Sequence, residues 1–306
     1  MIYNKPPLSF PQQADQLLKR GLIADRDDLI HKLQQVSYYR LSGYWFPFRK
    51  FPDDHFKKDT HFKTIWNRYV FDRQLRLLVL DGIERIEISL RTNITYILGH
   101  ETGPFGYTEN SNLPNLQPDK HALFLEEIQK EYSRSKETFV SHFQTKYGDE
   151  HDVLPIWMVT ELISFGTLFT MYRGAKKVTV KTIAKKYKLS EKVLVSWLGS
   201  LNTVRNICAH HSRFWNRELG YKPMIPNKDQ TWKRPVVIKT NRIFVILCII
   251  RYMLNFIAPQ SNWQDRLLDL LDRYPEIPKN EMGFPDNWRS IAFWKNQDIL
   301  LKEETK

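Results

Sequence analysis

The stretch IWNRYVFDRQLRLLVLDGIERIEISLRTNITYIL, Ile65 to Leu98, decides the fold class. Leu75, Val79, Ile83, Ile86, Leu90, Ile94 and Ile97 step by three or four residues and form one apolar stripe. Arg73, Arg76, Glu84, Arg85, Glu87 and Arg91 fall off or beside it. That spacing predicts a long amphipathic helix, which Gly103-Pro104 ends.

Working outward, the pattern stays helical. Residues 119–146 read as a charged, half-exposed helix. Pro155 opens a segment from Ile156 to Tyr172, and Ser190 starts a helix that runs to about His211. Two more helices are expected at about 240–257 and 261–273, after a Pro-containing extended linker at 221–238. On the amino-terminal side, three short pieces precede the polar stretch 50–63. One starts at Ser9 and closes at Gly21, one is capped by Asp25 or Asp27, and an aromatic third runs from Ser37 to Pro47. They make either a helix-turn-helix-like unit or a helical cap on the main body. The expected architecture is all-α: an N-terminal helical unit (1–50), a helical bundle (51–273) and a C-terminal tail packed on it (274–306). No strand–turn–helix carries a glycine-rich loop, so a nucleotide-binding α/β fold has no support. No repeat of solenoid period is visible.

Composition narrows the function classes. The 306 residues are 42% hydrophobic, enough for a sizeable core, and 46 Lys and Arg against 34 Asp and Glu give a net charge of +12. That excess suits a polyanionic partner. Two cysteines, Cys208 and Cys248, support neither a disulfide framework nor a four-cysteine zinc site. Met1 to Pro11 lacks an apolar signal core. Ile243 to Ile257, the most apolar stretch, is too short and is interrupted by Arg251, which predicts a buried core helix rather than a membrane span. A cytoplasmic protein with no membrane partner is expected.

The densest polar cluster is Leu201-Asn202-Thr203-Val204-Arg205-Asn206-Ile207-Cys208-Ala209-His210-His211-Ser212-Arg213-Phe214-Trp215-Asn216-Arg217, with two His, three Arg and three Asn in 17 residues at the end of a bundle helix. Arg205 and His210 lie about 140° apart on a helix, whereas Asn206 and His210 share a face. Arg205 reaches round on its long stem, or a second copy of the helix completes the site across a two-fold axis. Imidazole suits proton transfer near neutral pH, and a guanidinium offers a planar charged fork to phosphate. Together they suit RNA cleavage through the ribose 2′-OH. A hydrogen-bonded helix end is the structural alternative for the same residues. A second Arg-x4-His pair, Arg26 and His31, sits in an acidic context and is read as chance. Cys208, His210 and His211 offer three soft ligands but no fourth, so neither a metal nor another cofactor is expected.

Residues 173–192 carry eight cations against Glu191. Lys177, Lys181, Lys185 and Lys188 step along one helix face as a phosphate track or as a solvated surface. The aromatic run Tyr38 to Phe48 is either core or a stacking surface for single-stranded bases.

These motifs resemble a known family. Arg205-Asn206-x3-His210 is similar to the signature of HEPN domains, helical bundles that include many metal-independent endoribonucleases. The wider pattern resembles the Abi-like proteins of bacterial abortive infection, the AbiD and AbiF group. It includes Gly21-Leu22, Tyr38-Tyr39-Arg40-Leu41-Ser42-Gly43-Tyr44, Phe71-Asp72-Arg73-x2-Arg76 and Ile83-Glu84-x2-Glu87-Ile88-x2-Arg91. It continues through Pro155-Ile156-Trp157-Met158, Ser164-Phe165-Gly166-Thr167-Leu168 and Arg205-Asn206-x2-Ala209-His210-His211-x-Arg213-x2-Asn216. The resemblance implies a HEPN-type ribonuclease in phage defence, acting as a homodimer, with Arg205 and His210 as the nuclease pair and Asn206 as their polar partner. His211, Arg213, Arg217, Lys177, Lys181, Lys185 and Lys188 are the expected RNA contacts. The alternative is a non-catalytic protein that holds a small noncoding RNA. A third reading, a DNA-binding regulator acting through the N-terminal helices, would show sequence-specific duplex binding.

Overall fold

The computed structural model describes residues 2, 6–227 and 229–294. Among them are twelve α-helices, short 3₁₀ turns and no strand, so the protein is all-α. Two isolated β-bridges, Ile23 with His61 and Arg49 with Phe56, are the described extended pairings. The chain divides into two compact units, residues 1–77 with 267–278, and residues 78–266 with 279–306. Of the carboxy-terminal tail, residues 295–306 lie outside the described residues.

The first unit begins with α1 (Phe10–Lys19), α2 (Arg26–Gln35) and α3 (Tyr38–Trp45). Each has a side-chain N-cap, from Ser9, Asp25 and Ser37, that takes up an otherwise unpaired amide of the first turn. Ser9 and Gln12 form a reciprocal capping box, and Gly21 (φ 89°) turns the chain after α1. The unit's polar centre is a buried ion pair at the start of α4 (Phe62–Thr102). Arg76 Nη1 donates to Asp72 Oδ2 at 2.5 Å, and the Tyr44 hydroxyl donates to the same oxygen at 2.6 Å. Asp72 is completely buried and Arg76 nearly so. A carboxylate this deep requires such partners, which gives the Tyr44, Asp72 and Arg76 motif positions a structural role. Burial and the Asp72 charge push the Tyr44 hydroxyl well above the usual tyrosine range.

The long amphipathic helix expected at 65–98 is α4, and Gly103 (φ 78°) closes it as the sequence predicts. Its stripe residues Leu75, Val79, Ile83, Ile86, Leu90 and Ile94 are all buried. The second unit adds α5 (Pro118–Arg134), α6 (Thr138–Tyr147), α7 (Ile156–Leu162), α8 (Phe165–Gly174), α9 (Lys177–Lys185), α10 (Glu191–Ala209), α11 (Ile243–Ile257) and α12 (Trp263–Arg273). Two expected helices are each split. The segment 119–146 breaks at Ser135, whose hydroxyl accepts from the Glu137 amide. The segment 156–172 breaks at Ile163-Ser164, where Ser164 N-caps α8 by accepting from Thr167 N at 3.1 Å.

α11 is the buried core helix that its sequence predicts, with Arg251 held by Gln264 and by Asn255 Oδ1 at 2.5 Å. Among the described residues no helix is long and apolar enough to cross a membrane. At Gly82 a Cβ would lie 2.4 Å from Ile250 Cγ2 and 3.1 Å from Trp263 Nε1, so only glycine permits that approach of α4 to its neighbours. The segment expected as an extended linker, 221–238, contains a 3₁₀ turn at Gln230–Trp232, and its described residues are anchored rather than free. Ser196, Gly199 and Ser200 open a groove along α10 that receives it. Trp197 Nε1 donates to Met224 O at 2.8 Å, the Met224 amide donates to Ser196 Oγ at 2.9 Å, and Tyr221 lies over Gly199. Trp232 is buried against Trp197, their ring centroids 5.0 Å apart.

Candidate nuclease site

The site is built on the last two turns of α10. Ser190 caps its start, and Val193, Leu194, Trp197, Leu198, Leu201, Val204 and Cys208 bury one face in the second unit. That leaves the opposite face for polar residues. The α-helical pattern continues through the His210 amide, which donates to Asn206 O at 3.0 Å. Then the chain reverses. The Ser212 amide donates to Ile207 O and the His211 amide to Cys208 O, both at 3.0 Å, the paired bonds of a Schellman closure. Glycine usually fills the left-handed position of that motif. Here His211 occupies it, at φ 56°.

The loop beyond is anchored by Phe214 and Trp215, both buried. Asn216 fastens it further: its carbonyl accepts from Arg242 Nη1 at 3.0 Å and its Nδ2 donates to Glu281 at 3.2 Å. His210, His211 and Arg213 are therefore displayed on a short exposed turn between a helix end and a hydrophobic anchor.

Arg205 is half-buried, whereas Asn206, His210, His211, Arg213 and Arg217 are exposed. Among the described residues, the side chains of Arg205, Asn206 and His210 make no hydrogen bond or ion pair, with one another or with other groups. Arg26, by contrast, is bound through two nitrogens to Asp15, at 2.7 and 3.1 Å, which sets the Arg26 and His31 pair apart. Five residues apart, Arg205 and His210 start about 140° from each other around the helix axis, and their side chains make no hydrogen bond to each other.

One residue of the 201–217 cluster carries no expected role. Asn202 precedes Asn206 by four positions, so Asn202, Asn206 and His210 form one stripe. Gly166, in the first turn of α8, packs on Asn202, whose amide would lie 3.5 Å from a Cβ at that glycine. The i,i+4 spacing was legible, but the contact with Ser164-Phe165-Gly166-Thr167 was not.

Glu87 and Arg91 are structural. Arg91 donates to the carbonyls of Thr160 and Ile163, the latter at 2.8 Å, and to the Glu87 carboxylate, so it caps the end of α7. Glu84 is exposed, and Arg85 pairs with Asp81. Among the basic residues, Lys177, Lys181 and Lys185 lie exposed on α9. Lys188, expected on the same helix face, lies beyond the helix end in a left-handed turn at φ 53°, with its ammonium 5.9 Å from the Phe256 ring centre. Cys208 is buried while His210 and His211 are exposed, so the three do not converge. Among the described residues no group of three His, Cys, Asp or Glu is placed to hold a metal ion. Burial pushes the Cys248 thiol far above its usual range, with Trp294 Nε1 donating to the sulfur at 3.4 Å.

The family model described as Abi-like protein matches residues 31–216, more than half of the chain. The chain belongs to the Abi-like protein family. No curated protein and no solved structure matches it. The matched span takes in the Tyr44, Asp72 and Arg76 cluster, the Arg91 cap and α10 through Asn216.

Proposed function

We propose that this Abi-like protein is a HEPN-type endoribonuclease of a bacterial abortive-infection system, of the AbiD and AbiF kind, cleaving RNA without a metal. The observation that carries the reading is the end of α10, where Asn206 and His210 stand exposed on one face with Arg205 beside them, none of the three engaged with another described side chain. Purely structural polar residues in this chain look different, as the saturated contacts of Arg91 and Asp72 show.

In the proposed reaction the ribose 2′-oxygen attacks the adjacent phosphorus as its proton passes to an imidazole. The bond from phosphorus to the 5′-oxygen breaks, and that oxygen takes up a proton from an acid. The products are a 2′,3′-cyclic phosphate and a 5′-hydroxyl. Arg205 holds the scissile phosphate, His210 serves as acid or base, and Asn206 orients the phosphate or the imidazole. Because Arg205 and His210 diverge on one helix, a homodimer supplies the complementary groups from a second copy of α10. His211, Arg213, Arg217 and the α9 lysines form the approach for the RNA backbone.

The test is cleavage of single-stranded RNA in EDTA by wild type and by His210→Ala, with end-group analysis and sedimentation. Cyclic-phosphate ends from a wild-type dimer, absent with His210→Ala, support the reading. Wild type that binds RNA and leaves it whole establishes the alternative, a non-catalytic holder of a noncoding RNA. The divergence of Arg205 and His210 within one chain is what favours that second reading.

A further inference from the structure

The first unit carries an aromatic surface that its core does not use. In α3 the core positions are Leu41, Tyr44 and Trp45, all buried. Tyr39 is 89% exposed, Phe46 53% and Phe51 79%. Tyr39 and Phe46 are seven positions apart, two turns of helix, so they share a face with about 10 Å between them along the axis. Ser42 and Gly43, both small, lie between the two aromatic positions. Phe51 comes from the turn that follows. The Lys50 amide donates to His55 O and the Lys57 amide to Phe48 O, each at 2.8 Å, and this narrow hairpin brings Phe51 to 5.8 Å from Phe46, centre to centre and edge-on.

Cations neighbour these rings in the sequence. Arg40, Lys50, Lys57 and Lys58 are exposed, and the Lys57 ammonium donates to Pro47 O at 2.8 Å, next to Phe46. Three carboxylates share this turn: Asp54 is bound by Arg49 and by Arg20, the latter at 3.1 Å, Asp53 lies 3.8 Å from His55 Nδ1, and Asp59 is exposed beside Lys58.

We propose that the face formed by Tyr39, Phe46 and Phe51 is a stacking platform for unpaired bases of single-stranded RNA, with Lys50, Lys57 and Lys58 taking the phosphates. Exposed rings spaced along a small-residue floor and flanked by lysines match what a single strand offers, flat faces on a charged backbone. A duplex hides those faces. The choice of RNA over DNA rests on the ribonuclease reading of α10, whereas the stacking surface itself does not.

The test is fluorescence anisotropy with a labelled oligouridylate, its deoxy counterpart and an RNA duplex. The proteins are the full-length wild type, Tyr39→Ala with Phe51→Ala, and Tyr39→Phe. All the altered side chains are exposed, and thermal melts verify that each variant is folded. The double variant is expected to lose at least about tenfold in single-strand affinity, while Tyr39→Phe holds it. Undiminished binding by the folded double variant overturns the platform, as does a preference for the duplex. Tighter binding of the deoxy strand overturns the assignment to RNA. A double variant that changes only self-association, or only binding to anionic lipid vesicles, assigns the rings to that role and overturns the proposal. Wild type that never cuts RNA but binds it through Tyr39 and Phe51 refutes the nuclease and leaves the platform standing.

Discussion

The Arg91 guanidinium donates to the main-chain carbonyl of Ile163 at 2.8 Å, seventy-two positions further along the chain. It also donates to Thr160 O and to the Glu87 carboxylate, both partners half-buried or deeper. One side chain of α4 thus neutralises a carboxylate and satisfies the end of α7 just before Ser164 starts α8, the helix that packs on Asn202. Arg91, a residue of the family pattern, acts here as a fastener.

Arg91→Met should therefore destabilise the protein by about 1.5–3 kcal/mol, the range for hydrogen bonds to charged groups. Arg91→Lys should recover only part of this, because an ammonium lacks the planar fork. Urea denaturation measures both. A midpoint unchanged in Arg91→Met would show that these contacts contribute nothing.

His211 is a non-glycine residue in the left-handed position of a Schellman closure. His211→Gly should be more stable than His211→Ala by about 1 kcal/mol, since only glycine enters that region without a Cβ penalty. Comparing two small residues at one position cancels the loss of the imidazole. Equal melting temperatures would mean that the turn relaxes when the side chain is removed.

Lys177, Lys181 and Lys185 are exposed on α9. If they line the RNA path, replacing all three with Gln should weaken single-strand binding and lower the slope of log affinity against log salt by about 0.7 per lost phosphate contact. Circular dichroism should not change. An unaltered slope would remove α9 from the path.

Several buried tyrosines should make the protein sensitive to alkali. Burial raises the hydroxyls of Tyr44, Tyr107, Tyr172 and Tyr187 and pushes Tyr252 up to about 12, with the nearby Asp229 adding to the last. A raised folded-state value means that the folded chain keeps a proton which the unfolded chain has lost. This contribution to stability is intact below about pH 10, the ordinary tyrosine value, and is lost as pH rises through the folded values. Tyrosinate absorbance should appear together with loss of helical ellipticity. Stepwise ionisation of these groups in a protein that stays helical would contradict the burial argument.

Periodicity alone determined the all-α class, the presence of α4 and the buried character of α11, because a stripe of apolar residues at helical spacing has one way to leave water. The polar cluster at 201–217 could be located from its residue types, since so many long polar groups do not belong in a core. Tertiary structure decided the rest. The breaks at Ser135 and Ser164 depend on local side-chain bonds that compete with helix propagation, a contest that apolar spacing does not register. The roles of Arg76 and Arg91 depend on partners brought close by folding, and in Arg91's case those carbonyls are remote in the chain. Which aromatics of the run from Tyr38 to Phe48 stay in water was settled in the same way. Leu41, Tyr44 and Trp45 take the interior side of α3, and one helix cannot bury both of its faces against a single core.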